Sequence, residues 1–252
     1  MILPRAARFR EIIRSFRGRR AFARRGPREE KMLTLYSRFV HPGDLCFDIG
    51  ANVGNRVKIF LKLRARVVAV EPQCGCARAL ADAYGWNSLL TIVQKAVGQS
   101  EGSAELMISD ASTISSLSRD WIDAVRGSGR FAAYRWDRKQ PVQMTTLDRL
   151  IEQFGPPSFI KIDVEGYELP VLKGLSRPVG ALSFEFVPEL LDPAFESIRH
   201  LETLGRIRLN YSLDETMELA LGDWVTAPEM VRILADLRGD PRLFGDVYVQ
   251  FL

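Results

Sequence analysis

Short apolar runs and stretches of helical period alternate along most of the chain. LCFDIG (45–50), ARVVAVEP (65–72), LLTIVQKAVG (89–98), SFIKID (158–163) and GALSFEFV (180–187) are compact, β-branched or aromatic, and closed by Gly, Pro or an acid. Runs of this length without alternation read as strands buried on both faces. Between them VKIFLKL, CARALADAY and LDRLIEQF have the spacing of amphipathic helices. A shorter helix is expected from Glu168, stopping at Gly174. Strands alternating with helices predict a doubly wound, mostly parallel, Rossmann-like α/β sheet.

The flanks are less regular. GPREEK (26–31) is a helix start, with Pro27 in the first turn and Glu29 and Glu30 near its positive end. That helix should run to about Val40, before the HPGD turn. SAELMIS reads as a short hairpin strand and residues 109–140 as an irregular loop. PVQMTTLDRLIEQFG reads as a strand and then a helix capped by Thr145 or Thr146. The last third suggests a helix around 190–204, strands near 206–211 and 217–221, a helix from Ala227 to Leu237, and a final strand DVYVQFL. Its closing strands allow an antiparallel edge strand. Two units are expected: a basic helical N-terminal extension, residues 1–40, and the α/β domain, residues 41–252.

Charge changes the picture only at the start. Residues 1–30 hold ten arginines against Glu11, Glu29 and Glu30, a charge of +7, so the rest carries −3 of the chain's +4. There Ile2, Leu3, Ala6, Phe9, Ile12, Ile13 and Phe16 recur at helical spacing. Such a basic amphipathic helix docks on its own body or lies peripherally on an anionic membrane surface; nucleic acid and a transit-like leader are weaker readings. No apolar run reaches the roughly 18 residues of a membrane span, and no secretory leader is visible. Cys46, Cys74 and Cys76, with His41 and His200, have neither zinc spacing nor a disulfide framework. A cytoplasmic location is the expectation.

Two stretches carry candidate chemistry. DIGANVG (48–54) ends one strand and opens a helix, where backbone N–H groups attract a ligand. Its glycine spacing is not the Gly-x-Gly-x-x-Gly of a dinucleotide enzyme, which disfavours an NAD-dependent reading. Glu71 ends the next strand, 23 residues after Asp48, where a carboxylate can accept both hydrogen bonds of a ribose diol. KIDVEGYE (161–168) packs Asp163, Glu165 and Glu168 beside Lys161. Those acids suit a base, a helix cap or, with Glu185, an oxygen-only cation site. His41 and His200 lie in a turn and a helix pattern and are weak candidates.

The ordered blocks FDIGANVGN, VVAVEPQ, KAVG, STISSL, MTTLDRL, IKIDVEGYELPVLKG and FEFVPE resemble the FkbM family of class I S-adenosylmethionine-dependent methyltransferases. The resemblance spans about Phe47 to Glu189. It implies S-adenosyl-L-methionine as cofactor, with Asp48, Gly50, Asn52 and Gly54 lining its methionine end and Glu71 holding the ribose. It further implies Lys95 and Ala96 beside the adenine and Asp163 beside the methionyl group. Arg56, Val57 and Lys58 depart from the smaller, more neutral helix start common in relatives. Asp163, Glu165 and Glu185 are the catalytic candidates, with no metal assigned. STISSL and residues 126–138 are expected to border the acceptor site. The implied reaction is O-methylation of a hydroxyl on a glycan, glycolipid or small metabolite. The rival is a non-catalytic membrane- or RNA-associated protein on the same sheet.

Overall fold

A computed structural model describes Phe22 and residues 26–238, 240 and 243–252. The expected helix over Ile2–Phe16 lies outside the described residues. After α1 (Pro27–Tyr36) come β1 (Leu45–Ile49), α2 (Asn55–Lys62), β2 (Arg66–Val70), α3 (Cys74–Tyr84) and β3 (Leu90–Val93). Next are β4 (Ala96–Val97), β5 (Gly102–Ile108), α4 (Arg119–Gly127), β6 (Arg138–Thr145) and α5 (Leu147–Phe154). The chain closes with β7 (Phe159–Ile162), α6 (Glu168–Lys173), β8 (Ala181–Phe186), α7 (Asp192–Leu204), β9 (Ile207–Leu213), α8 (Ala227–Asp236) and β10 (Gly245–Phe251). Among the described residues, no helix is long and apolar enough to cross a membrane.

Seven strands form one sheet in the order β3-β2-β1-β7-β8-β10-β9. The first five are parallel, and β10 runs antiparallel to both β8 and β9. Register decides where the site falls. Ile49 pairs with both Val70 and Ile162, and Ile162 pairs with Phe184. The residues that follow, Gly50, Glu71, Asp163 and Glu185, therefore come to one edge of the sheet.

The strands are apolar throughout because both faces are covered. Phe47, Ile49, Val68, Val70, Ile160 and Ile162 face one core, against residues of α5 to α8. Cys46, Val67, Ala69 and Phe159 face the other, against α1, α2 and Leu80 of α3. On this second face Phe159 is fully buried, its ring 5.7 Å from Tyr36, 5.3 Å from Phe39 and 6.0 Å from Phe60. Truncation to alanine there should cost about 3–5 kcal/mol. Met32, Leu35, Tyr36, Phe39 and Val40 belong to the same core. The boundary expected at residue 40 thus runs through continuous packing, and α1 is part of the α/β body.

Three local expectations differ from the structure. LLTIVQKAVG is not one strand: β3 joins the main sheet, while β4 joins a small second sheet of order β4-β6-β5. The 109–140 segment contains α4, whose N-cap Ser118 accepts a hydrogen bond from Trp121 N and whose Trp121, Ile122 and Val125 are buried. Residues 217–221 form no strand. Instead the Asn210 side chain takes both Leu221 N and Leu221 O, satisfying that backbone without a ladder. Thr146, rather than Thr145, caps α5, accepting from Arg149 N.

Candidate active site

The turn after β1 is built for close approach. Gly50 has φ +82°, and a β-carbon there would lie 1.8 Å from the Asp163 carbonyl oxygen. Asp163 N in turn donates to Ile49 O at 3.0 Å, so the ends of β1 and β7 are pressed together. Asn52 also takes a left-handed conformation, φ 48°. Gly54 is held by packing. It does not line the cavity described below, and a β-carbon on it would meet Leu80 Cδ1 at 2.4 Å and Tyr84 Cε2 at 2.7 Å. It lets α2 start tightly against α3.

Glu71 closes the other wall of this turn. Its Oε2 accepts from Asn52 N at 2.8 Å and its Oε1 from Gln73 N at 2.7 Å. Burial raises its pKa and these hydrogen bonds offset only part of the rise. Two backbone donors fix the carboxylate plane, and each oxygen retains a lone pair for a further donor.

The edge opens onto a cavity of about 430 Å³, within the size range of small-ligand sites. Asp48, Gly50, Asn52, Glu71, Lys95 and Ala96 line it on one side, and Asp163, Glu165 and Glu185 on another. Ser112, Thr113, Ile114, Ser115 and Leu117 of STISSL form part of its wall. Gln73 ties that segment to the end of β2, donating to Ser112 O at 2.9 Å and accepting from Ser115 Oγ at 3.1 Å. Ser116 Oγ ties it to the end of β7, donating to Glu165 O at 2.6 Å. From residues 126–138, Arg130 and Phe131 reach the cavity.

Asp163, Glu165 and Glu185 each offer a carboxylate oxygen within 4.8 Å of the others. Their environments drive them apart. Burial would raise Asp163, but Lys161 and Arg56 outweigh it and hold its pKa below the ordinary value. Burial pushes Glu165 well up, helped by Asp163 and Glu168. Glu185 is likewise pushed well up by burial and then by Glu165 and Asp163. Glu165 holds a left-handed backbone, φ 56°, a strain of the kind that clusters at working sites. Glu168 takes a different job. Its Oε1 accepts from Val164 N at 3.0 Å and Gly166 N at 3.3 Å, bracing the loop at the start of α6, while burial lifts its pKa to about 7.

Several contributors were not legible beforehand. Arg56, noted above as a departure, lines the cavity, with Nη2 3.7 Å from Glu215. Val57 is core and Lys58 pairs with Glu29 of α1 at 2.8 Å, which accounts for the rest of that departure. Trp121 lies under Gly166, where a β-carbon would approach it to 2.3 Å. No pattern in the loop sequence pointed to that contact. Neither histidine reaches the cavity: His41 Nδ1 is 3.5 Å from Asp44, and His200 Nε2 is 3.1 Å from Leu175 O.

The cavity fits a cationic cofactor. Asp48 Oδ2 is buried with no hydrogen-bond partner among the described residues, and Asp48 lines the cavity. Burial, with Asp163 and Glu71 nearby, lifts its pKa to about 7 despite Arg56 and Lys161. A partnerless buried carboxylate favours a positively charged ligand group.

A sheet of this order, with β10 reversed and acids at the parallel strand ends, is the Rossmann-like frame of a class I methyltransferase. Sequence comparison gives the family. The chain belongs to the FkbM methyltransferases, matching the Methyltransferase FkbM domain over residues 48–213. It is an S-adenosylmethionine-dependent methyltransferase. No curated protein matches it. Among solved structures it is similar to a precorrin-6y C5,15-methyltransferase from Geobacter metallireducens, at 10% identity and TM-score 0.46 over 87% of this chain and 86% of that one. It is also similar to a TehB-like SAM-dependent methyltransferase from Corynebacterium glutamicum, at 9% identity and TM-score 0.45 over 88% of each chain. A third is the O-methyltransferase from Bacillus cereus in complex with SAH, at 13% identity and TM-score 0.41 over 91% of this chain and 83% of that one. Likenesses this distant carry no argument about substrate.

Proposed function

We propose that this methyltransferase acts on a hydroxyl group of a glycan, glycolipid or small metabolite, with the Glu165–Glu185 pair taking the hydroxyl proton. The observation that carries this reading is the division within one carboxylate cluster: Asp163 held ionised, Glu165 and Glu185 pushed up. An alcohol must lose its proton as it is methylated, and a carboxylate of raised pKa is the better base.

S-adenosylmethionine, when bound, supplies an electrophilic methyl group on a sulfonium sulfur. Asp48 and the Gly50 turn would hold its methionine end, and Glu71 its ribose hydroxyls. Lys95 and Ala96 would flank the adenine. Asp163, held by Lys161, would stay charged beside the methionyl group. Glu165 and Glu185, close enough to titrate as a pair, share a proton, and the ionised member accepts the one leaving the hydroxyl. Alignment contributes about 7–11 kcal/mol in favourable cases, and a placed base roughly 10²–10⁴-fold.

An acceptor panel of sugars, glycolipids and small alcohols, set against thiols and amines, tests the reading. Methylated hydroxyls support it; transfer confined to thiols or amines overturns it. The three carboxylates also form an oxygen set of the kind a divalent cation takes. Activity abolished by EDTA and restored by Mg²⁺ would move the proton-removing role from a free glutamate to a metal-assisted one.

A further inference from the structure

Lys161 has no place in the chemistry above beyond its charge, yet it is fully buried in the middle strand of a seven-stranded sheet. Its register neighbours continue a polar row across four strands. Asp48 of β1 pairs with Lys161 of β7, Lys161 with Ser183 of β8, and Ser183 with Tyr248 of β10. All lie on the face covered by α1 and α2, where the alternate residues on the other face are core hydrophobics. A lysine there would be costly without partners. It reaches across β8 to Asp246 Oδ1 at 2.8 Å, contacts Ile162 O at 3.2 Å, and comes within 3.3 Å of Asp163 Oδ2.

We propose that Lys161, anchored by Asp246, is a positioning residue that fixes the Asp163 carboxylate at the cavity wall and thereby sets cofactor affinity. Asp246 sits on β10, directly opposite Glu185. The strap thus runs from the antiparallel part of the sheet, under the acidic cluster, to the end of β7. Two anchors on one ammonium leave it little freedom. Asp163, 32% exposed, meets the cavity from a fixed base rather than as a mobile surface acid. The groups facing Lys161 are Asp163, Asp246, Asp48 of β1, Tyr36 of α1 and Arg56 of α2, and its charge also bears on Glu165 and Glu185. Those acting on Asp163 are Lys161 and Arg56, and Asp163 in turn bears on Asp48, Glu165 and Glu185. Deleting the lysine removes a positive charge from that whole group, so carboxylates at the cavity should hold their protons to higher pH.

The inference rests on Asp163 lying in the cofactor site, and the test separates the two claims. Affinity for S-adenosylmethionine is measured by calorimetry for Asp163→Asn, Lys161→Met, Asp246→Asn and the Lys161→Met/Asp163→Asn double variant, with melting curves confirming folding. The expected result is a loss of about tenfold or more for Lys161→Met and a smaller loss for Asp246→Asn. Little further loss should follow when Lys161→Met is added to Asp163→Asn, because neighbouring residues acting through one another are not additive. The pH below which Lys161→Met loses affinity should also rise by about one unit or more. Folded Lys161→Met and Asp246→Asn proteins within twofold of wild type in affinity, with an unmoved pH profile, would overturn the proposal. Full additivity with Asp163→Asn would do the same. Should Lys161→Met not fold, Asp246→Asn alone decides by its affinity. Unchanged affinity in Asp163→Asn would instead show that Asp163 is outside the cofactor site.

Discussion

A β-carbon at Gly50 would lie 1.8 Å from the carbonyl oxygen of Asp163, so the turn after β1 and the acidic loop after β7 are in direct backbone contact. The two most informative stretches of the sequence are opposite lips of one crevice. Gly50→Ala must therefore move one lip, and must also adopt φ near +82° with a side chain. Its melting temperature should fall by several degrees, as for a loss of about 1–3 kcal/mol. S-adenosylhomocysteine binding should weaken by at least about tenfold. A variant matching wild type in both measurements would mean the contact is not a constraint.

Asp48 should trade stability for binding. Burial raises its folded pKa to about 7, above the usual carboxyl value, so the folded protein binds the extra proton between those two values. Its contribution is present in full below the unfolded pKa and is lost as pH rises through about 7. Asp48→Asn should consequently melt higher than wild type at about pH 8, with little difference near pH 5, while losing affinity for S-adenosylmethionine. Thermal melts at both pH values, with calorimetry at the higher one, check each half.

Glu71 holds two backbone N–H groups as well as facing the cavity. Glu71→Gln keeps one acceptor oxygen, and Glu71→Ala keeps none. Alanine should cost about 1–3 kcal/mol in stability by orphaning Asn52 N and Gln73 N. Glutamine should cost less in stability yet still bind S-adenosylhomocysteine more weakly. Equal melting temperatures for the two variants would contradict the bracing role.

Much of the site was legible because it sits at strand ends, where local sequence fixes both the strand and the residue after it. Asp48, Gly50, Asn52, Glu71, Lys95, Ala96 and the three acids all reach the cavity from such positions. Gly54 looked equivalent in the string but faces Leu80 and Tyr84, a difference that only the packing of α2 on α3 creates. The place of Arg56 was hidden for the converse reason. A charged residue at a helix start is polar in sequence, and only the fold shows it turned toward Asp163, Asp246 and Tyr36. The helix α4 was hidden because its signals, Ser118 and the buried Trp121, sit in a Ser- and Arg-rich stretch whose burial depends on Gly166 and the loop beneath it.

The proton-accepting pair gives the most direct test of the central claim. Single-turnover methyl transfer to a hydroxyl acceptor would be followed against pH for wild type, Glu165→Gln and Glu185→Gln, each at saturating S-adenosylmethionine. Because burial, with Asp163 and Glu168 bearing on Glu165 and with Glu165 and Asp163 bearing on Glu185, pushes both glutamates well above the ordinary carboxyl value, the wild-type rate should climb with pH well beyond the normal range of a glutamate. At least one variant should be slower by about 10²-fold or more while binding cofactor normally. A pH-independent rate, or full activity in both variants, would contradict the account.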